Sequence, residues 1–178
     1  NVFVFDYRGY GDSEGKPSAG GLFKDSRSQI AYVRSRADVD PTRLLVYGQS
    51  QGGTNAIAAV GSGQREGVRA VAIESTFYSY SSIADDKLKG AGLLVGDTFA
   101  ASKYVAAVAP VPLLFIHGTN DAVIPFSHSQ RLFDDAHEPK RIVEVKGAGH
   151  LEPMSAPRFG TTYQRVLTDF FEAALRGG

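Results

Sequence analysis

A serine lies between closely spaced glycines at residues 48–52, which read Gly-Gln-Ser-Gln-Gly. An apolar run at 44–47 precedes this motif and small residues at 53–60 follow it, so the pattern predicts strand, sharp turn and helix. In such a nucleophile elbow the glycines remove Cβ atoms that would clash, and the Ser50 hydroxyl projects clear of the sheet. The alternative is an ordinary loop in which Ser50 caps the helix. An acid and a histidine at later strand ends would favour catalysis.

Two further polar residues follow apolar runs that have the character of strands. Asp121 comes after the run at 112–116, and His150 follows the run at 142–145. Because the carboxyl ends of parallel strands meet at one edge of a sheet, both residues are expected at the same edge as Ser50. A serine hydroxyl becomes a strong nucleophile when an imidazole accepts its proton, and a carboxylate holds that imidazole in the correct tautomer.

Other histidines and acids compete for these roles. His117 ends a predicted strand and is expected to pack or hydrogen-bond locally, while His128 and His137 lie at the start and end of a predicted helix. Among the acids, Glu74 ends the strand after the elbow helix, and Glu152 lies beside the candidate base. Glu74 is the stronger rival because it also stands at a strand end.

The elements that position these groups follow from apolar spacing. Five strands are predicted from β-prone runs at 2–5, 44–47, 68–73, 112–116 and 142–145. An amphipathic helix is predicted from a stripe formed by Leu22, Ser26, Ile30, Val33 and Ala37. A capping-box sequence at 127–130 and a threonine-rich start at 161–164 predict two later helices. Alternating strands and helices give an α/β sandwich around a parallel sheet.

The segment at 79–109 differs from the rest of the chain. It mixes aromatic residues and leucines with glycines and shows no long period of either kind. We expect short helices that form a small cap over the site, with an irregular crossover as the alternative. Phe77 and Tyr78 follow a predicted strand end and are candidates for the walls of a substrate pocket. Tyr7 and Arg8 are expected to anchor their loop, with substrate contact as the alternative.

Composition limits the remaining possibilities. The 178 residues suit one domain, and a hydrophobic content of 43% is sufficient for a buried core. Nineteen basic residues balance nineteen acidic ones, so no overall field recruits nucleic acid or an anionic membrane. The absence of cysteine excludes disulfides, thiolate metal sites and cysteine nucleophiles. No apolar run approaches the roughly 20 residues of a membrane span. These features favour a small or neutral substrate.

Four motifs together resemble those of serine hydrolases of the α/β-hydrolase superfamily. They are Asp-Tyr-Arg-Gly-Tyr-Gly-x-Ser-x-Gly at 6–15, Gly-Gln-Ser-x-Gly-Gly at 48–53, His-Gly-x-x-Asp-x-x-(Val/Ile)-Pro at 117–125 and Gly-x-Gly-His at 147–150. The branch that carries such motifs includes bacterial esterase-like and peptidase-like proteins and eukaryotic membrane-anchored acyl-protein thioesterases. The order serine, acid, histidine also matches this superfamily.

The resemblance implies the α/β-hydrolase fold, a mainly parallel sheet flanked by helices with a small cap insertion. It implies Ser50 as nucleophile, His150 as base and Asp121 as acid, with the backbone N–H of Gln51 in the oxyanion hole. The expected reaction cleaves a carboxylic ester or thioester of a small-molecule acyl substrate through an acyl-enzyme, without metal or organic cofactor. The alternatives are amide hydrolysis of the serine aminopeptidase kind and a non-catalytic binding module.

The first residues look like the middle of a protein. Asn1 leads directly into the strand predicted at 2–5. In the superfamily, an earlier strand pairs with the elbow strand, and its exit loop supplies a second oxyanion donor. Neither can be found in residues 1–178, so we expect a single catalytic domain that lacks its N-terminal part, with a vacancy of about 5 Å beside the strand at 44–47. Oligomeric state is not indicated. Both a cytoplasmic location and anchoring through an upstream segment stay open.

Overall fold

Four apolar runs form the strands of a parallel sheet in the computed structural model, which describes residues 1–177. The strands are β1 (Leu44–Gln49), β2 (Val68–Glu74), β3 (Leu113–Gly118) and β4 (Lys140–Val145). Each strand pairs in parallel with the next one along the chain, in the order β1-β2-β3-β4. All four carboxyl ends therefore lie at the same edge of the sheet.

Helices connect and cover these strands. The α-helices are α1 (Ala19–Ser35), α2 (Gln51–Gly61), α3 (Tyr80–Lys87), α4 (Ser127–Asp135), α5 (Ala156–Phe159) and α6 (Thr162–Arg176). Short 3₁₀ turns occur at Ala91–Leu94, Ala101–Lys103 and Val105–Val108. Among the helices of residues 1–177, none combines the length and apolar character needed to cross a bilayer.

The core lies on both faces of the sheet, because side chains alternate between the faces of a strand. On one face, Ile73 and Phe115 pack with Ile57 of α2 and Leu132 of α4. On the other face, a second cluster packs against the apolar side of α6; its buried sheet members are Ala72, Leu114, Ile116 and Val145. The predicted α/β fold with helices on both faces of a parallel sheet is confirmed.

The prediction of a strand at residues 2–5 is wrong: the sheet of residues 1–177 has four strands rather than five. Val2 is 93% exposed, Val4 is 82% exposed, and the described residues place no strand on the outer side of β1. A β-prone run becomes a strand only where a neighbour pairs with its backbone. Without that pairing, Phe3 packs its ring 5.7 Å from Tyr32 of α1.

One predicted helix start also differs in its capping. The sequence at 127–130 suits a capping box, yet Phe126 occupies the N-cap position of α4 and makes no side-chain cap bond. Ser127, the first residue of the motif, lies inside the helix rather than at its N-cap, so the predicted box does not form. The hydroxyl of Ser129, in the same turn, bonds to the buried His117 ring at 2.7 Å. A capping box does form at α3, where the N-cap is Ser79.

Residues 79–109 form α3 and the three 3₁₀ turns, which agrees with the prediction of short helices. Asp85 accepts hydrogen bonds from two backbone N–H groups of the following turn, and Asp97 accepts from the backbone N–H of Ser81 at 2.9 Å. At the end of α3, Lys87 Nζ donates to the carbonyl of Val123 at 2.7 Å. This contact joins the segment to the loop after β3. Its role as a cap over substrate stays a prediction.

Candidate active site

Ser50 stands on the turn between β1 and α2 with φ 52° and ψ −123°. Positive φ is unfavourable for a residue with a Cβ, and it persists only where the surroundings fix the backbone. The Ser50 N–H donates to the carbonyl of Glu74 at 2.8 Å, and Thr76 Oγ1 donates to the Ser50 carbonyl at 3.3 Å. The Ser50 side chain makes no cap bond to α2. Its geometry is that of an elbow rather than of a helix cap.

The glycines around Ser50 differ in what they do. A Cβ on Gly48 would lie 2.5 Å from the carbonyl oxygen of Gly52, and a Cβ on Gly53 would collide with Thr76 Oγ1. A Cβ on Gly52 would meet nothing within 4 Å. The close packing of the turn therefore depends on Gly48 and Gly53, not on the second glycine of the Gly-x-Ser-x-Gly motif.

Asp121 and His150 are in contact at the carboxyl edge of the sheet. Asp121 Oδ2 lies 2.8 Å from His150 Nδ1, and its Oδ1 accepts the N–H groups of Val123 at 2.9 Å and Ile124 at 2.8 Å. Burial opposes ionisation of Asp121, but the bonds from Ile124 and His150 outweigh it and hold the pKa below its ordinary value. An ionised carboxylate only accepts, so Nδ1 donates in this bond, and in the neutral imidazole Nε2 then carries the lone pair.

Ser50 and His150 follow strands at opposite sides of the sheet, and only the loop after β4 can bring the histidine towards the serine. Two strands separate β1 from β4, a span of roughly 14 Å at the spacing of neighbouring strands, so His150 has to return across the sheet edge. Within residues 1–177 no hydrogen bond joins the Ser50 hydroxyl to His150, whose Nδ1 bonds to Asp121. In unliganded sites such bonds are often long and tighten with substrate. The structure thus brings Asp121 and His150 together and places Ser50 at the same edge.

The backbone N–H of Gln51 is available beside Ser50. Gln51 is the first residue of α2, where helical geometry leaves N–H groups without an intrahelical acceptor. Within residues 1–177 it has no other backbone acceptor. A free N–H at the positive end of a helix is suited to a developing oxyanion.

Glu74, the rival acid, is engaged elsewhere. Its side chain is fully buried, and its Oε2 accepts from the Tyr47 hydroxyl and from Gln49 Nε2, the latter at 2.7 Å. Burial, followed by the bond to Glu74, raises the pKa of Tyr47. No histidine within residues 1–177 contacts Glu74. The geometry favours Asp121 as the partner of His150.

The competing histidines occupy structural positions. His117 is buried; its Nε2 donates to the carbonyl of Ile124 at 2.8 Å, and burial lowers its pKa so that the ring stays neutral. His128 Nδ1 accepts the N–H of Tyr78 at 3.0 Å, while its Nε2 contacts Asp86 at 2.5 Å. His137 is exposed after α4. Residues 1–177 contain no cluster of three or more histidine, aspartate or glutamate side chains suited to a metal ion.

The two predicted pocket residues lie in different surroundings. Phe77 is buried, and its ring packs edge-on against Tyr80 with centroids 5.1 Å apart. Tyr78 donates its hydroxyl to Asp135 at 2.8 Å, and the guanidinium of Arg131 lies 3.7 Å from its ring centroid. These contacts direct Tyr78 towards α4. A substrate-binding role for either residue stays a prediction.

Tyr7 and Arg8 anchor their loop to α1. The Arg8 guanidinium forms a bidentate pair with Asp25, with its shortest contact at 2.7 Å, and the hydrogen bonds from Arg8 lower the pKa of Asp25. The Tyr7 hydroxyl lies 3.1 Å from Ser26 Oγ. Both contacts agree with the anchoring role that the sequence favours over substrate binding.

The chain is similar to proteins from several organisms. The uncharacterized protein YfhR of Escherichia coli K12 is 46% identical over 175 residues, which cover 98% of this chain and 61% of YfhR. The chain thus spans about three fifths of that relative's length. The alpha/beta hydrolase GrgF from Penicillium sp. sh18 superposes with a TM-score of 0.74, at 16% identity, over 96% of this chain and 78% of GrgF. The monoacylglycerol lipase of Paleococcus ferrophilus gives 0.69, at 22% identity, over 96% and 82%. The two structural likenesses show the fold.

A family model gives the assignment that the fold alone does not. The model for peptidase S9, described as the prolyl oligopeptidase family, matches residues 14–178. This range contains the elbow serine, the acid loop and the histidine loop. The chain therefore belongs to the prolyl oligopeptidase family of α/β hydrolases.

Proposed function

We propose that the chain carries the catalytic machinery of a serine hydrolase that cleaves carboxylic esters or thioesters through a covalent acyl-enzyme. One observation carries the proposal: Ser50 sits at φ 52° on a strand-to-helix turn at the same sheet edge as the 2.8 Å bond between Asp121 and His150. An activated serine needs a base, an acid that orients this base, and a donor to the oxyanion. Ser50, His150, Asp121 and the N–H of Gln51 would supply these roles.

The reaction then follows from the geometry of these groups. Ser50 Oγ attacks the acyl carbon while its proton moves to His150 Nε2, and Asp121 stabilises the imidazolium that forms. The carbonyl oxygen becomes an oxyanion facing the Gln51 N–H at the start of α2. Collapse expels the alcohol or thiol, which takes the proton from His150. A water molecule, deprotonated by the same imidazole, hydrolyses the acyl-enzyme and restores Ser50.

Amide hydrolysis is the second candidate, because the matching family model is that of a peptidase family. The same four groups would act, and the difference lies in the leaving group. An amine leaves only after it is protonated, so amide cleavage depends more strongly on the imidazolium acting as an acid. The substrate rather than the triad would distinguish the two activities.

A fluorophosphonate probe tests the proposal, because it labels serines that are activated by a base. We expect labelling of the protein and its loss in Ser50→Ala, while Ser35→Ala, a change of an exposed serine, still labels. A panel of p-nitrophenyl esters of rising acyl length, beside aminoacyl amides, then ranks the substrates. Labelling that persists in Ser50→Ala would overturn the nucleophile. Faster turnover of amides than of esters would replace the esterase assignment by the peptidase one.

A further inference from the structure

The loop that carries His150 is held in two different ways along its length. Its first half is fixed by contacts to the loop after β3, which carries Asp121. The Asn120 N–H donates to the Ala148 carbonyl at 2.9 Å, and the Gly147 N–H donates to the Thr119 side chain at 3.0 Å. A Cβ on Gly118 would collide with the Ala148 carbonyl, so the two loops are in close contact. This half is therefore fixed to the loop that carries Asp121.

The second half depends on side chains. The Gly149 N–H donates to Glu152 Oε2 at 2.6 Å, directly before the histidine. Arg158 pairs with the same carboxylate and donates from Nη2 to the Gly147 carbonyl at 2.9 Å. The Arg158 guanidinium thus bonds to both ends of the loop, at Gly147 and at Glu152. Among residues 1–177, the main-chain bond that spans this second half is a 3.3 Å contact from the Glu152 N–H to the Gly149 carbonyl.

Leu151, between His150 and Glu152, has φ 58°. A residue with a Cβ adopts such a conformation only where its surroundings fix it, and strain of this kind concentrates at functional sites. Leu151 is 38% exposed, so burial of its own side chain does little to hold it. Two bonds between Gly149 and Glu152 span Leu151, one from the Glu152 side chain and one from its backbone. The strained backbone next to the imidazole is therefore held by Glu152 as well as by the bond between His150 and Asp121.

We propose that Glu152 and Arg158 are positioning residues that hold His150 against Asp121. The inference rests on the proposed function, in which His150 is the base. Within residues 1–177 no hydrogen bond or ion pair joins Glu152 to the imidazole, whose partner is Asp121. Glu152 acts through the backbone of Gly149, the residue before His150. The Glu152 and Arg158 side chains are 37% and 51% exposed, and ion pairs of that exposure contribute little to global stability. The effect of removing the pair is expected at the imidazole and not in the unfolding transition.

The test compares Glu152→Ala, Glu152→Gln and the double variant L151G/E152A with a control, Glu172→Ala. Glu172 belongs to another exposed carboxylate–arginine pair, with Arg176 in α6, remote from the site in sequence. Two quantities are measured beside the melting temperature: kcat and KM for a p-nitrophenyl ester, and the proton NMR signal of His150 Nδ1. That signal is assigned by its absence from His150→Gln protein, and it is read without turnover.

We expect Glu152→Ala to lower kcat about tenfold at nearly unchanged KM, because misplacing a catalytic group costs rate rather than binding. The Nδ1 proton should broaden as its bond to Asp121 becomes intermittent. Glu152→Gln retains an acceptor for the Gly149 N–H and should keep most of the activity. In the double variant, glycine adopts positive φ without strain. The kcat of L151G/E152A should therefore be about threefold higher than that of Glu152→Ala. The control and Glu152→Ala should melt alike.

The proposal is overturned if Glu152→Ala leaves both kcat and the Nδ1 signal unchanged. It is also overturned if kcat falls while the signal stays sharp, or if the double variant is no better than Glu152→Ala. Absence of ester hydrolysis by the unsubstituted protein would count against the proposed function instead. The Nδ1 signal would then still decide whether Glu152 holds His150.

Discussion

Thr76 Oγ1 occupies the position where a Cβ on Gly53 would have to lie. The same hydroxyl lies 3.3 Å from the carbonyl oxygens of both Ser50 and Glu74, and it can donate to either. The first turn of α2 is thus packed against the end of β2 at a point with no room for a methyl group. Because Ser50 directly precedes that turn, its unusual backbone conformation depends on this contact.

Gly53→Ala is expected to lower the free energy of unfolding by about 1–3 kcal/mol, because the added methyl overpacks a tight contact. Gly52→Ala is the matched control: its methyl would meet nothing within 4 Å, and alanine improves helix propensity by up to about 1 kcal/mol. Urea denaturation of both variants measures the difference. Equal effects of the two substitutions would contradict the steric account.

Asp121→Asn is expected to lower kcat for ester hydrolysis by about 10⁴, because asparagine cannot hold the imidazole tautomer that accepts the serine proton. Glu74→Gln should be mild in comparison, since Glu74 bonds to Tyr47 and Gln49 of β1. Steady-state kinetics with a p-nitrophenyl ester gives both values, and circular dichroism checks folding. The reverse order would move the catalytic acid to Glu74.

Acid should destabilise the protein partly through Asp121. Its pKa is lowered in the folded state, so its contribution to stability is present above the unfolded value near 3.9 and is lost as pH falls through the folded pKa. The free energy of unfolding should therefore decrease below about pH 4, and less steeply in Asp121→Asn. Denaturation at a series of pH values measures the slopes, and identical slopes would contradict the assignment. Asp25, lowered in the same direction by Arg8, contributes equally to both proteins.

Tyr47→Phe should destabilise the fold by about 1–3 kcal/mol, because it removes a donor from the fully buried Glu74 carboxylate. Tyr10→Phe is the control, since Tyr10 is 52% exposed. Chemical denaturation gives the two free energies. If Tyr47→Phe and Tyr10→Phe are equally neutral, the hydroxyl does not stabilise Glu74.

Much of the sheet could be predicted, because a buried parallel strand is a continuous apolar run that local sequence displays. The runs at 68–73 and 112–116 correspond closely to β2 and β3. The run at 2–5 has the same local character but no pairing partner within residues 1–177. Strand formation is decided by a neighbour, and a single run carries no information about that neighbour.

In the candidate site, too, local sequence predicts some features, while others depend on contacts with distant residues. The turn at Ser50, the acid at 121 and the histidine at 150 each follow an apolar run, so spacing alone could place them at one edge. Thr76 could not be found in this way, because its role is a contact with a glycine more than twenty residues earlier. The contacts of Tyr78 with α4 could not be found either, because they depend on tertiary packing.

The sequence predicts where helices begin better than it predicts which hydrogen bonds their capping side chains make. Thr161 stands at the N-cap of α6 as expected but makes no side-chain cap bond. Gln164, the other polar residue of that motif, donates instead to the carbonyl of Met154 at 2.9 Å. A capping sequence marks where a helix can begin. Which acceptor its side chains finally use depends on what the fold brings near them.

The agreement between strand order and chain order has a consequence for how the protein folds. Each strand pairs with the next, so the sheet can grow in one direction from β1 to β4 without inserting a strand between two others. Ser50 and its turn are complete once β1 and β2 have paired, whereas His150 arrives only with β4. If the strands dock in this order, Ser50 stands without its proposed base until β4 pairs with β3. Reactivity towards a serine-directed probe, sampled during refolding, would report the final step of assembly rather than the first.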